Sequence, residues 1–343
     1  MIFTRQRVIN TAIFFVAAGF ILVAPTFFDE YTMRILSNIA IFAILAVSYN
    51  LINGVTGQFS LEPNGFVAIG AYITALLLLS ADEKVYQFVV EEPTAFVVWM
   101  NSGFVAALII SGLAASLVAF TLAFPVFRVR GDYLAIVTLG FGFIIQILAI
   151  NNPQVTNGSL GLSDIPEHAN FYWTGFAALF TVLFILNVVN SKYGRAMKAV
   201  RDDEDAAGAM GINTFKIKTT AFCTSAFFEG VGGGLLAVLL TTVSPDQFTF
   251  FLTFQLLIII VLGGLGSTTG AIVGTILVIG GSEWLRFLDE SMNIFGYETP
   301  AMPGLRMVVF SVILILVMLF ARRGLFGNGE VGDLLKKLKS KKR

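Results

Sequence analysis

Apolar stretches long enough to cross a bilayer recur along the whole chain, and this repetition constrains the fold more than any other feature. A transmembrane helix needs about 20 largely apolar residues. Measured against that length, candidate spans lie near 8–24, 33–52, 66–80, 96–124, 133–150, 172–190, 218–241, 251–262, 268–284 and 305–320. They predict an all-α polytopic membrane protein with about ten transmembrane helices; segment 251–262 is short enough to be half of a broken helix. Composition agrees, with 56% hydrophobic and only 13% charged residues and a mean hydropathy of +0.83, where soluble domains carry about 25% charge. A single cysteine, Cys223, excludes an intrachain disulfide and a Cys-based zinc site, and a single histidine, His168, leaves no His cluster for a metal or a His-dependent triad. The 22 basic and 22 acidic residues cancel, so no basic field argues for nucleic acid. Residues 8–24, preceded by Arg5 and Arg7 and ending at Ala24-Pro25, share the outline of a signal peptide, but the run is long for one and lacks an A-x-A site.

The basic residues set the expected orientation, since Lys and Arg accumulate in short cytoplasmic loops. With the N-terminus inside and alternating crossings, Arg5, Arg7, Arg128, Arg130, the six basic residues from Lys192 to Lys218, Arg322, Arg323 and the tail from Lys336 to Arg343 all fall in the cytoplasm. The other side receives acidic loops around Asp29-Glu30, Asp82-Glu83, Glu91-Glu92, Asp164 and Glu167, and Glu283 to Glu298. Both termini are therefore expected inside. The chain divides into a transmembrane domain, 1–327, and a basic cytoplasmic tail, 328–343, which reads as a solvated stop-transfer tail or as a contact for anionic membrane lipid.

Two glycine-rich interruptions break the apolar pattern at membrane depth: 53–65, NGVTGQFSLEPNG, and 263–270, GGLGSTTG. Backbone freed from a helix inside a bilayer is tolerated only where protein or a water-filled cavity satisfies it. Paired interruptions in halves of opposite topology are a pointer to a transport site, and these two predict broken helices and an inverted repeat, although they are not in register. The other reading of such glycines is that they only allow close helix packing or make tight turns. Candidate residues of a substrate path are Asn50, Asn53, Gln58, Glu62, Asn64, Gln146, Glu229, Gly263, Gly264 and Gly266. Glu229 sits mid-span, where a carboxylate costs a few kcal/mol and faces a cavity or a partner. Three roles remain open for it: attraction of an ammonium group, proton carriage, or a structural hydrogen bond or ion pair to a neighbouring subunit.

The longest polar stretch between spans is 191–217, SKYGRAMKAVRDDEDAAGAMGINTFKI. Ala196, Val200, Ala206, Ala207 and Met210 can share one helical face, with Gly211 as a stop. The segment is too polar to cross. It suits either a helix lying on headgroups or one whose small Ala-Ala-Gly surface docks into a groove on another protein.

GRAMKAVRDDEDAAGAMGI resembles the coupling-helix region of ABC importer permeases, and most closely that of the branched-chain amino-acid (LivM-type) permease family. YNLINGVTGQFSL, GAYITALL, RVRGDYLAIVTLGFG, SPDQFTFFLTFQLLIIIVLGGLGSTTGAIVG and LFARRGLFG look like successive blocks of that family in its order, so the likeness spans nearly the whole chain. It implies ABC importer permease architecture, a bacterial inner membrane location, and coupling to an ATPase through Gly194, Arg195, Asp203, Glu204, Ala206, Ala207 and Gly211. It also implies the partners: a second homologous permease subunit, two ATPase subunits that bind ATP and Mg, and a periplasmic amino-acid-binding protein, which the loop around His168 could meet. The chain departs from the family pattern at Glu62-Pro63-Asn64, where a Gly-His pair is common, at Phe143, where an acidic residue often stands, and at Glu229, where a small residue is usual.

No G-x-x-x-x-G-K-[ST] occurs: the cluster 263–270 lacks the lysine that reaches phosphates. The chain has no cofactor of its own, and no metal set or nucleophile-base pair marks it as an enzyme. The function expected is inward movement of branched-chain or other neutral amino acids; an ion-coupled secondary transporter of a small zwitterionic or amide solute, using an intramembrane Glu, is the alternative.

Overall fold

A computed structural model describes residues 16–129, 131–289, 292–294, 297–299, 304–320 and 324–327. Arg5, Arg7, Arg130, Arg322, Arg323 and the tail 328–343 lie outside the described residues, as does the start of the expected span 8–24. In chain order the helices are α1 (Val16–Phe27), α2 (Glu30–Asn50), α3 (Pro63–Leu78), α4 (Ala81–Gln87), α5 (Ala95–Trp99), α6 (Phe104–Val126), α7 (Asp132–Asn151), α8 (Pro153–Thr156) and α9 (Phe171–Asn190). Then follow α10 (Lys192–Asp202), α11 (Glu204–Ala209), α12 (Thr214–Leu240), α13 (Phe250–Gly263), α14 (Thr268–Thr275), α15 (Gly281–Trp284) and α16 (Leu305–Phe320). The one sheet among the described residues is a short antiparallel hairpin, Met292–Ile294 with Tyr297–Thr299.

Six helical stretches are long and apolar enough to cross a membrane, the continuous run Thr268–Asp289 that contains α14 and α15 being one of them, and a seventh if α3 and α4 form one bent span. The ten expected crossings therefore do not all appear as full-length helices. α1 and α13 are apolar but shorter, and α16 has 16 residues. The expected span 96–124 is two helices, since Met100 leaves α5 in extended backbone and Gly103 begins α6. α3 and α4 meet at a bend of 117°, and the buried Lys84 ammonium of α4 donates to the carbonyls of Val97 and Met100, tying α4 to α5.

Polar caps set the helix starts where a serine, asparagine or aspartate precedes the apolar run, because the first amides of a helix have no partner within it. Ser191 caps α10, Asp203 caps α11, Asn213 caps α12 and Ser267 caps α14.

α12 is the axis of the bundle, packed against α2, α3 and α6. Its glycines make this possible: a β-carbon on Gly232 would overlap Leu45 of α2, one on Gly233 the Val67 carbonyl of α3, and one on Gly230 would crowd Ala115 of α6. Small residues at a helix interface let backbones approach closely where the hydrophobic effect does not drive association.

Candidate functional site

The two glycine-rich breaks are far apart in sequence and touch in space. After Asn50, α2 widens into a π turn, Leu51–Val55, and the chain then runs without regular secondary structure to Glu62 at the start of α3. A π turn inserts an extra residue into the helical ladder and recurs at functional positions. This irregular strap is held at Ser60. Tyr49 Oη donates to the Ser60 carbonyl at 2.7 Å, Asn53 Nδ2 donates to the same carbonyl at 3.3 Å, and the Ser60 amide donates to Asn53 Oδ1 at 3.0 Å. The Leu61 amide donates to Thr138 Oγ1 of α7 at 2.8 Å.

Asn50 bridges to the other break: its Oδ1 accepts from the Gly266 amide at 2.9 Å and its Nδ2 donates to the Ser267 carbonyl at 3.1 Å. Gly54 fits against Gly266 so closely that a β-carbon would overlap the Gly266 amide nitrogen and Asn50 Oδ1. Interrupted backbone is thus satisfied by buried side chains, and Asn50 and Asn53 spend their amide groups on it.

The remaining candidates separate. Asn64 joins α3 to α13 and to the 3₁₀ turn Pro245–Phe248: its amide donates to Thr253 Oγ1 at 3.1 Å, its Nδ2 donates to the Phe248 carbonyl at 3.3 Å, and its Oδ1 accepts from Thr253 at 3.2 Å. Gln146 Nε2 donates to the Pro245 carbonyl of that turn at 3.3 Å. Gln58 is half-buried and reaches only the Thr56 carbonyl, at 3.5 Å. Gly263 packs on Gly270 of α14, and Gly264, at φ +115°, packs on Gly327, whose segment pairs with the end of α13 through the Leu325 amide to the Leu262 carbonyl. Of the three glycines proposed for the path in the second break, Gly266 alone borders the first.

Glu62 and Glu229 are fully buried and close enough to each other for electrostatic interaction. Ser225 Oγ lies 2.9 Å from Glu229 Oε1 and 2.7 Å from the Ser48 carbonyl; its one proton serves one of them at a time. Glu229 Oε2 and both Glu62 oxygens have no hydrogen-bond partner among the described residues.

The polar segment folds as an elbow rather than a single helix. Asp203, at φ −160°, ends α10, and its carboxylate accepts from the Ala206 amide at 2.9 Å to begin α11. The elbow overturns the shared face expected of this segment: Gly194, Met197, Val200 and Ala207 face inward, whereas Ala206 and Met210 are exposed, Met210 by 83%. Gly194 sits against the Val189 carbonyl at the α9–α10 turn. Glu204 Oε2 pairs with Lys218 Nζ of α12 at 2.6 Å, the lysine side chain being 4% exposed, so it anchors the elbow within this chain. Arg195 is exposed, and Gly211 ends α11 at φ +84°, a conformation glycine adopts without steric cost.

A residue of the elbow that is not among the expected site residues also touches it. Arg201, in the last turn of α10, donates from Nη1 to the Gly54 carbonyl at 3.4 Å and from Nε and Nη2 to Asp202 Oδ1 at 3.0 and 2.9 Å. A mixed-charge segment gives no sign of which arginine turns inward.

The family described as branched-chain amino acid transport system, permease component, matches residues 31–318. The chain is 34% identical over 327 residues to the high-affinity branched-chain amino acid transport system permease protein LivM of Escherichia coli strain K12, covering 85% of this chain and 72% of that protein. It is 25% identical over 319 residues to the corresponding system's permease protein LivH of Salmonella typhimurium, with 84% and 92% covered. It is also 21% identical over 239 residues to a probable branched-chain amino acid transport permease protein LivM of Methanocaldococcus jannaschii, with 64% and 67% covered. No solved structure matches the chain. With its membrane-length helices and with this match over most of its length, the chain belongs to the LivM-type family of branched-chain amino acid transport permeases.

Proposed function

We propose that this chain is the permease subunit of an ABC importer that moves branched-chain or other neutral amino acids across the inner membrane, both termini being cytoplasmic. Separate ATPase subunits, which bind ATP and Mg, drive it through the α10–α11 elbow. A second, homologous permease completes the pathway, in keeping with the existence of both LivM and LivH relatives, and a periplasmic binding protein delivers the amino acid. The observation that carries this reading is the exposed outer surface of α11. Ala206, Gly208, Ala209 and Met210 form a small apolar patch that none of the described residues covers, on a helix held to α12 by the Glu204–Lys218 pair. Exposed apolar surface rimmed by charge suits a protein partner. Transport then proceeds by alternating access, the ATPases moving the elbow and the two permeases opening in turn to either side. The test is uptake of labelled leucine by vesicles holding the permease pair and its ATPases, with binding protein and ATP supplied; uptake should need all of them.

The two enclosed carboxylates favour a second reading, an ion-coupled carrier in which Glu62 or Glu229 binds the driving ion. Glu229→Gln separates the two. It keeps a partner for Ser225 and leaves nucleotide-driven uptake within about threefold of normal in an ABC importer, whereas an ion-coupled carrier using this carboxylate would lose gradient-driven uptake altogether.

A further inference from the structure

Arg201 is placed where the elbow and both breaks come together. Its guanidinium donates to Gly54 in the first break. Gly57, three residues on and at φ +72°, lies under the stem of Arg201: a β-carbon there would overlap Arg201 Cγ and stand 2.9 Å from its Cβ. Gly266, at φ +86° in the second break, would place a β-carbon 3.4 Å from Arg201 Nη1 and 3.0 Å from the Gly54 carbonyl. One side chain at the end of α10 therefore rests on both interruptions, and Asn50 links those interruptions to each other through Gly266 and Ser267. The arginine is oriented from its other side by Asp202, which takes two of its N–H groups.

We propose that Arg201 is the positioning residue through which displacement of the α10–α11 elbow reaches the two breaks. The physical reason is stiffness. A planar guanidinium held at a carboxylate and aimed at a backbone carbonyl loses little freedom on forming each bond, and the glycines beneath it leave no slack between helix end and loop. When α10 shifts, Gly54 and Gly57 must follow or the contact must break. Gly266 follows through Asn50. Packed contacts of this kind have discrete arrangements rather than a continuous range, so one contact can switch both interruptions together.

This inference rests on the ABC importer reading and is tested in the complete assembly of permease pair, ATPases and loaded binding protein. The unmodified complex is measured first: if its uptake does not depend on ATP, the reading of function fails and the role of Arg201 in it fails with it. Given ATP-driven uptake, the readout is amino acid carried per ATP hydrolysed, alongside stimulation of hydrolysis by the binding protein. Arg201→Ala should leave hydrolysis within about twofold while the transport ratio falls at least about tenfold, and Arg201→Lys, which keeps the charge on a flexible stem, should recover part of that ratio. Gly57→Ala, which displaces the arginine without removing it, should uncouple in the same direction; it and Arg201→Lys decide the matter if Arg201→Ala does not assemble. A normal transport ratio in Arg201→Ala or in Gly57→Ala overturns the proposal. So does a parallel loss of hydrolysis and uptake in assembled complexes, which would mark Arg201 as a fold staple only.

Discussion

Asn50 and Gly54 show how a break in a membrane helix is made tolerable. Freed backbone in a low-dielectric interior is costly unless paired, and the Asn50 carboxamide supplies one acceptor and one donor to the opposite break. Gly54 supplies the room. Substituting alanine at Gly54 pushes a methyl into the Gly266 backbone, so Gly54→Ala should destabilise the protein by about 1–3 kcal/mol through overpacking. Gly208→Ala is the control. Gly208 has open space around it and lies within α11, so alanine there should be neutral or stabilise by up to about 1 kcal/mol. Thermal unfolding of the two purified variants in detergent, compared with the unmodified chain, checks the pair. Polarity and the interrupted pattern mark both Asn50 and Gln58 as candidates, yet pattern alone does not distinguish Asn50, which joins the breaks, from Gln58, which does not.

At the scale of elements, the α10–α11 elbow presents one surface to its own bundle and another to the outside. Its inner contacts are Met197, Val200 and Ala207 with the Glu204–Lys218 pair. Removing the carboxylate leaves a nearly enclosed ammonium, so Glu204→Gln should cost about 1–3 kcal/mol, the half-open side of the pair keeping it below the cost of a fully enclosed one. It should also loosen α11, seen as faster proteolysis within 203–211. The outer surface behaves differently. Ala206→Trp adds bulk at a position exposed among the described residues, so the variant should insert and unfold like the parent while its ATP-driven uptake falls at least about tenfold. Normal uptake by Ala206→Trp would count against docking at this surface. Periodicity places a single helix across this segment, but Asp203 prefers to cap the following turn rather than continue the first, and that one choice turns Ala206 and Met210 outward.

For the whole molecule, the α12 glycines set how near the other helices can come. Gly233→Leu would drive a branched side chain into the Val67 carbonyl of α3, at or above the upper end of the roughly 1–3 kcal/mol typical of overpacking. Because α12 touches α2, α3 and α6, separating one pair disturbs the rest. The expected outcome is loss of the monodisperse species in size-exclusion chromatography after extraction, in contrast to a leucine at the exposed position Phe120.

Hydropathy and the order of family blocks were enough to establish a many-helix membrane permease, because lipid forces nearly every spanning residue to be apolar and every backbone group to be paired within a helix. The caps at Ser191, Asn213 and Ser267 are local too, each a bond between a side chain and an amide two or three residues on, but the apolar pattern alone does not mark them. What only the tertiary structure decided are contacts across large sequence distances: Asn50 with Gly266 and Ser267, Arg201 with Gly54, Glu62 near Glu229. Such pairings depend on how helices pack, and packing is set by shape at many small residues at once, a property that no single segment carries.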